Sequence, residues 1–143
     1  MMPLVPINYL AVLVSAVVMM VLGALWYGPI FGKQWARMMG FTPEKMAEAQ
    51  KRSMAKSYIL MALGALVMSF VLAHAVIFAN AYLNMGGASA GLAVGFANWI
   101  GFIAPVSLGT VLWEGKSWKL WMINSGYYLV GLLIIGVILA VWM

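Results

Sequence analysis

Residues 57–80 read SYILMALGALVMSFVLAHAVIFAN, a run with no Asp, Glu, Lys, Arg or Pro. Leu, Ala, Met and Val follow one another without the alternation of period two that a strand of a membrane barrel needs, so the run reads as a helix. It is long enough to supply the roughly 20 apolar residues that cross about 30 Å of hydrocarbon. Three further stretches of the same kind, 7–28, 87–113 and 120–141, accompany it. Of the 143 residues 66% are hydrophobic and 8% charged, far from a soluble composition. A water-soluble fold would have no polar surface left to place around such a core. The expected fold class is therefore all-α, a polytopic integral membrane protein with four transmembrane helices in a single domain over residues 1–143.

The charges are confined to the connections between these stretches. Lys33, Arg37, Lys45, Lys51, Arg52 and Lys56 fall in or beside the first connection, opposed by Glu44 and Glu48, and Lys116 and Lys119 share the third with Glu114. The second connection, NAYLNMGGASA, and both termini carry no charged side chain. The positive-inside rule then predicts that the basic first and third connections are cytoplasmic and both termini outside. Orientation accounts for the net charge of +5, so no nucleic-acid partner is expected. The opening MMPLVPINYL lacks the basic segment of a secretory signal, and the first apolar run is expected to stay as a helix. Without cysteine there is no disulfide, thiolate nucleophile or thiolate metal site.

Within the first connection, FTPEKMAEAQKRSMAKSY predicts a cytoplasmic helical entry before the second membrane helix. Thr42 is the expected N-cap, Pro43 the first helical residue and Glu44 lies near the positive end of the helix dipole. Glu48 is placed to pair with Arg52 one turn on. No breaker intervenes before Gly64, so this segment is expected to run into the second span. In that span Ala65, Ser69 and Ala73 form a ridge of small residues. Gly87, Gly91 and Gly95 repeat the device in the third, where Pro105 frees the Gly101 carbonyl and predicts a kink or a small ligand-facing opening. Such ridges let backbones approach closely, against the same chain or a second copy.

Polar residues within the spans are the candidate binding residues, because burial in lipid makes each of them costly. His74 is the sole histidine and lies in the second helix; Asn98 lies in the third; Asn124, Tyr127 and Tyr128 lie in the fourth. Asn124, Tyr128 and Gly131 follow the i, i+4, i+7 spacing of one inward face. With Thr110 and Ser125 that face is expected to line a small polar cavity, or else to make hydrogen bonds between helices. One histidine with no carboxylate in the spans makes no metal site, and no cofactor is expected. Neither a phosphate-cradling glycine loop, a nucleophile elbow, an HExxH sequence nor a carboxylate pair is present, so no catalytic residue is assigned. The thirteen methionines suit an adaptable apolar interior.

At the charged boundary, GKQW (32–35) and GKSW (115–118) repeat one spacing after odd-numbered spans. Around them Trp26, Tyr27, Trp35, Trp113, Trp118 and Trp121 gather with Lys33, Glu114 and Lys116. This aromatic and basic zone suits a lipid headgroup or a flat amphipathic ligand, and it equally suits anchoring at the interface. A Glu114 to Lys33 ion pair would clamp the two segments together.

The run Ala24-Leu25-Trp26-Tyr27-Gly28-Pro29, followed by Phe31-Gly32-Lys33 and Trp35, resembles the opening motif of small bacterial membrane proteins catalogued as domain of unknown function 1761. Leu112, Glu114-Gly115-Lys116, Leu120-Trp121, Ile123-Asn124, Gly126-Tyr127 and Leu129-Val130 resemble its closing motif, so the likeness spans nearly the whole chain. The chain departs from it in carrying Gly28 where Ser is common and Tyr128 where His is common. The resemblance implies a four-helix membrane architecture and no established activity. Sequence thus points to a multi-pass protein of the bacterial inner (plasma) membrane. Its leading functional expectation is a non-enzymatic component that binds or moves a small or lipid-like molecule. A structural accessory subunit and a small intramembrane enzyme are the competing classes. Expected partners are membrane lipid and either further copies of the chain or other membrane subunits, because four helices enclose little space and the small-residue ridges offer association faces.

Overall fold

The computed structural model describes residues 4–51 and 54–143. The expected Glu48 to Arg52 pair therefore falls outside the described residues. Among the described residues four helical spans are long and apolar enough to cross a membrane: Tyr9–Ile30, Ala55–Leu83, Gly87–Leu112 and Trp118–Val141. The fourth is the most buried, and buried side chains of all four meet in one core that includes Met19, Leu72, Val94, Tyr127 and Ile135.

The first span begins at α1 (Tyr9–Leu25), where the Asn8 side chain accepts hydrogen bonds from the Leu10 and Ala11 amides. Asn8 also donates to the Trp142 carbonyl at 2.9 Å, which ties the start of the first span to the end of the fourth. These two spans therefore run antiparallel. After α1 the helix widens into a π-helical turn, Trp26–Ile30, and then a short helix α2 (Gly32–Met38). Pro29 lies inside the turn and has no N–H to give. The wide bond runs instead from the Phe31 amide to the Trp26 carbonyl at 2.8 Å.

The helical entry forms as α3 (Pro43–Lys51), and Thr42 Oγ1 caps it by accepting from the Lys45 amide at 3.2 Å. It does not run into α4 (Ala55–Leu83) as expected, because Met54 leaves the helix at φ −92° and ψ 1°. The third span is α5 (Gly87–Asn98), a second π-helical turn (Trp99–Ile103) and two short helices, α6 (Ala104–Ser107) and α7 (Gly109–Leu112). The break expected at Pro105 is thus a widened turn just before it, closed by the Ala104 amide on the Trp99 carbonyl. Gly115 then turns the chain at φ +69°, and Ser117 caps α8 (Trp118–Val141) through the Leu120 amide.

Both small-residue ridges are used inside this chain. A Cβ on Gly91 would land on the Gly136 carbonyl, and one on Gly95 on the Leu132 carbonyl, so α5 and α8 lie backbone to backbone. Gly87, expected as the first step of that ridge, instead sits at φ +72° facing open space. Ala65, Ser69 and Ala73 are buried, and α4 packs along α1. Ala11 and Ala73 line one crevice between these helices, and Met19 and Ala65 line another. One helical turn inward from each places Ser15 and Ser69 at a common level.

Ser15 and Ser69 are both 0% exposed, and neither hydroxyl has a hydrogen-bond partner. An unsatisfied buried hydroxyl costs more than it contributes. The double replacement Ser15→Ala with Ser69→Ala is expected to raise stability by about 1 kcal/mol. Thermal unfolding in detergent measures this; a drop would mean that the hydroxyls hold the two helices together.

Candidate functional site

The first and fourth spans present three tyrosines and an amide to one another, Tyr27 from the π-helical turn and Asn124, Tyr127 and Tyr128 from α8. The Tyr27 hydroxyl donates to Asn124 Oδ1 at 2.9 Å, and the Tyr127 hydroxyl donates to the Met19 carbonyl at 2.8 Å. The Tyr27 and Tyr127 rings meet edge to face with centroids 5.6 Å apart, and Tyr127 and Tyr128 lie 4.8 Å apart. Gly131 belongs to the same face, because a Cβ there would strike the Met19 side chain. The i, i+4, i+7 face of the fourth span thus turns inward onto the first. The Asn124 amide and the Tyr27 and Tyr127 hydroxyls already have protein partners, and Tyr128 packs on Tyr127, so what remains open lies beside them.

That open space is a groove along the first and second spans. A cavity of about 410 Å³ is lined by Met20, Gly23, Ala24, Tyr27, Gly28, Tyr58, Met61 and Tyr127. A second, of about 220 Å³, shares Met20, Met61 and Tyr127 with it and continues to Gly64, Met68 and Tyr128. The walls are methionine and tyrosine. Tyr58 and Met61, at the outer wall, are exposed, so the groove opens sideways toward lipid.

The other polar residues expected to join this site lie elsewhere. His74 Nδ1 is 2.8 Å from the Phe70 carbonyl of its own helix, and the ring sits between Phe70 and Phe78 on an aromatic ladder. Asn98 donates to the Val94 carbonyl at 2.9 Å and lines a separate cavity with Met68, Val71 and Phe102. Thr110 donates to the Ser107 carbonyl and Ser125 to the Trp121 carbonyl, so neither hydroxyl faces Asn124. The polar path that would join His74, Asn98 and Asn124 does not form. In each case the polar group finds its nearest satisfaction one helical turn back along its own backbone.

The boundary aromatics separate into two groups. Trp26, Tyr27 and Trp35 gather at the end of the first span, with Tyr27 and Trp35 at 5.6 Å and Trp35 and Phe41 at 5.4 Å. Trp118 and Trp121 meet at 6.0 Å on the fourth, while Trp113 projects almost fully exposed. Among the described residues Glu114, Lys33 and Lys116 make no ion pair, so the expected Glu114 to Lys33 clamp does not form. GKQW and GKSW also differ in form. Gly32 opens helix α2, whereas Gly115 makes a left-handed turn that precedes the cap of α8.

The structural repeat lies in different residues, WYGPI (26–30) and WIGFI (99–103). Each is a π-helical turn, and each tryptophan donates its indole N–H to a carbonyl of the fourth span. Trp26 Nε1 reaches the Ile123 carbonyl at 2.9 Å and Trp99 Nε1 the Ser125 carbonyl at 2.8 Å. Beside them Trp121 donates to Ser107 Oγ at 2.9 Å, and Ser107 donates to the Ile103 carbonyl. The fourth span is thereby gripped from both sides. Trp99, Ser107 and the repeated W-x-G-x-I pattern were visible in sequence; nothing there marked the pattern as a wide turn.

Residues 10–140 match the family model described as a protein of unknown function, DUF1761. The chain belongs to this family. No curated protein and no solved structure matches it. DUF1761 membership accords with the four apolar spans, and its model covers the tyrosine cluster, the groove and both indole contacts. Among the described residues of this DUF1761 chain, no three His, Asp or Glu side chains gather where they could hold a metal ion.

Proposed function

We propose that this membrane protein binds a lipid-like or small amphiphilic molecule, without catalysing a reaction, in the groove between its first and second spans. The observation that carries the reading is the continuity of the two cavities through Met20, Met61 and Tyr127. Methionine adapts its shape to an apolar ligand, and tyrosine offers a flat apolar face with a polar tip. Binding is favoured over transport, because His74, Asn98 and Asn124 do not line up across the bundle. The small-residue ridges on which an accessory-subunit role would rest are taken up inside the chain. The basic first connection supports a reading in which the wide end of the groove faces the cytoplasm and both termini lie outside, as the positive-inside rule expects.

Gly64 supplies the test. A Cβ at Gly64 meets nothing within 4 Å, and the residue lines the part of the groove that continues to Met68 and Tyr128. Gly64→Leu should therefore narrow the groove from a position with open space around its Cβ, and should gain about 1 kcal/mol in helix propensity. Native mass spectrometry of gently extracted wild-type protein is expected to show a reproducible bound amphiphile, which the variant loses while its thermal midpoint holds. Equal retention by both proteins, or no retained molecule in the wild type, would sink the proposal.

A further inference from the structure

A third cavity, of about 570 Å³, adjoins the groove and shares Tyr27 and Gly28 with it. Lys33 and Arg37 line it, one helical turn apart on α2, with Trp35, Phe41, Pro43 and Met46 completing its walls. No acidic side chain lines it, and neither Lys33 nor Arg37 has an ion pair or side-chain hydrogen bond among the described residues. Resting on the groove reading above, we propose that this cavity holds the headgroup of an anionic phospholipid whose acyl chain enters the methionine-walled groove.

The argument is one of charge and continuity. Two cations at one mouth, beside hydrocarbon and without a protein counter-ion, favour an anion there, and guanidinium with ammonium matches a phosphodiester in charge and in hydrogen-bond donors. Orientation of the chain requires basic residues on this side, but it does not require them to share a cavity with Tyr27. A free phosphate would satisfy Lys33 and Arg37, yet it would make no use of the apolar continuation through Tyr27 and Gly28. A lipid fills both parts at once. Its head meets Lys33 and Arg37 beside the packed Trp35 and Phe41 rings, and its chain passes Tyr27 toward Met20 and Met61.

The test is a lipid titration of delipidated full-length protein, read by native mass spectrometry, with phosphatidylglycerol and phosphatidylcholine of matched acyl chains. Wild type is expected to prefer phosphatidylglycerol by at least roughly fivefold, in keeping with two basic contacts at a membrane surface. Lys33→Gln with Arg37→Gln should abolish the preference and leave phosphatidylcholine binding in place. Lys51→Gln with Lys119→Gln removes the same charge away from the cavity and should leave the preference intact. Equal affinity for the two lipids in wild type, or equal loss in both double variants, would overturn the headgroup site. Displacement of phosphatidylglycerol by inorganic phosphate at matched concentration would assign the site to free phosphate and overturn the lipid. The groove reading fails separately, if Gly64→Leu binds phosphatidylcholine as wild type does.

Discussion

Gly91→Leu is expected to leave no folded bundle to isolate, and even Gly91→Ala should lower stability by about 1–3 kcal/mol. The reason is steric and local. A Cβ on Gly91 meets the Gly136 carbonyl carbon and the Val137 nitrogen, which are backbone atoms that no rotamer change can move aside. The same approach recurs one turn on, where Gly95 faces Leu132. In lipid this contact is hard to replace, because separating two helices exposes no apolar surface to water and the association rests on close packing. Gly136→Ala should cost about as much as Gly91→Ala, since its Cβ would meet the Gly91 carbonyl. The double variant should cost less than the two single losses combined, because one separation of the helices relieves both clashes. Gly64→Ala is the matched control: it faces open space and should be neutral or stabilising. Thermal unfolding in detergent checks the series. A Gly91→Ala protein as stable as wild type would show that the α5 and α8 backbones can part without loss.

How much of this arrangement could be read in advance depended on the range of the interaction. The four spans follow from composition over some twenty residues, and the expected 57–80 and 87–113 fall close to Ala55–Leu83 and Gly87–Leu112. Thr42 and Pro43 start their helix as local capping chemistry requires. The ridges at Ala65, Ser69, Ala73, Gly91 and Gly95 were legible as faces, but their partners were not, because spacing of four is silent on what lies opposite. Helix α1 shows the gap. Ser15, four residues after Ala11, meets the second span, and that two-step spacing is too short to stand out as a ridge. The site divided in the same way. Asn124 and Tyr128 stand out in sequence as costly groups on one face, whereas Tyr27 looks like a boundary aromatic, since its bond to Asn124 joins residues far apart in sequence. GKQW and GKSW share letters but differ in backbone, since Gly32 is helical and Gly115 is left-handed. WYGPI and WIGFI match less closely and share a wide turn, because that turn is set by a missing or displaced amide bond at Pro29 and before Pro105.

Those two wide turns lead to the second large effect. Trp26→Ala and Trp99→Ala should each cost about 3–5 kcal/mol, the loss of a packed indole. Most of that cost is packing. Trp26→Phe and Trp99→Phe, which remove only the N–H donor to Ile123 or Ser125, should cost less than about 2 kcal/mol. The two alanine variants should differ in function although they resemble each other in stability. Trp26 directly precedes Tyr27, and its ring packs over Gly126, two residues from Asn124 on the same helix. Loss of that indole frees the turn that aims Tyr27 at Asn124, and Tyr27 lines both the groove and the basic cavity. Trp99 grips the opposite side of the fourth span and lines neither. Retained amphiphile per folded molecule should therefore fall several-fold in Trp26→Ala and stay near wild type in Trp99→Ala, at matched temperatures below both midpoints. If both variants keep the ligand equally, Tyr27 has no part in holding it, and the groove must bind through its methionine walls alone. If both lose it equally, the grip of the two tryptophans on the fourth span, rather than the position of one tyrosine, keeps the groove in shape.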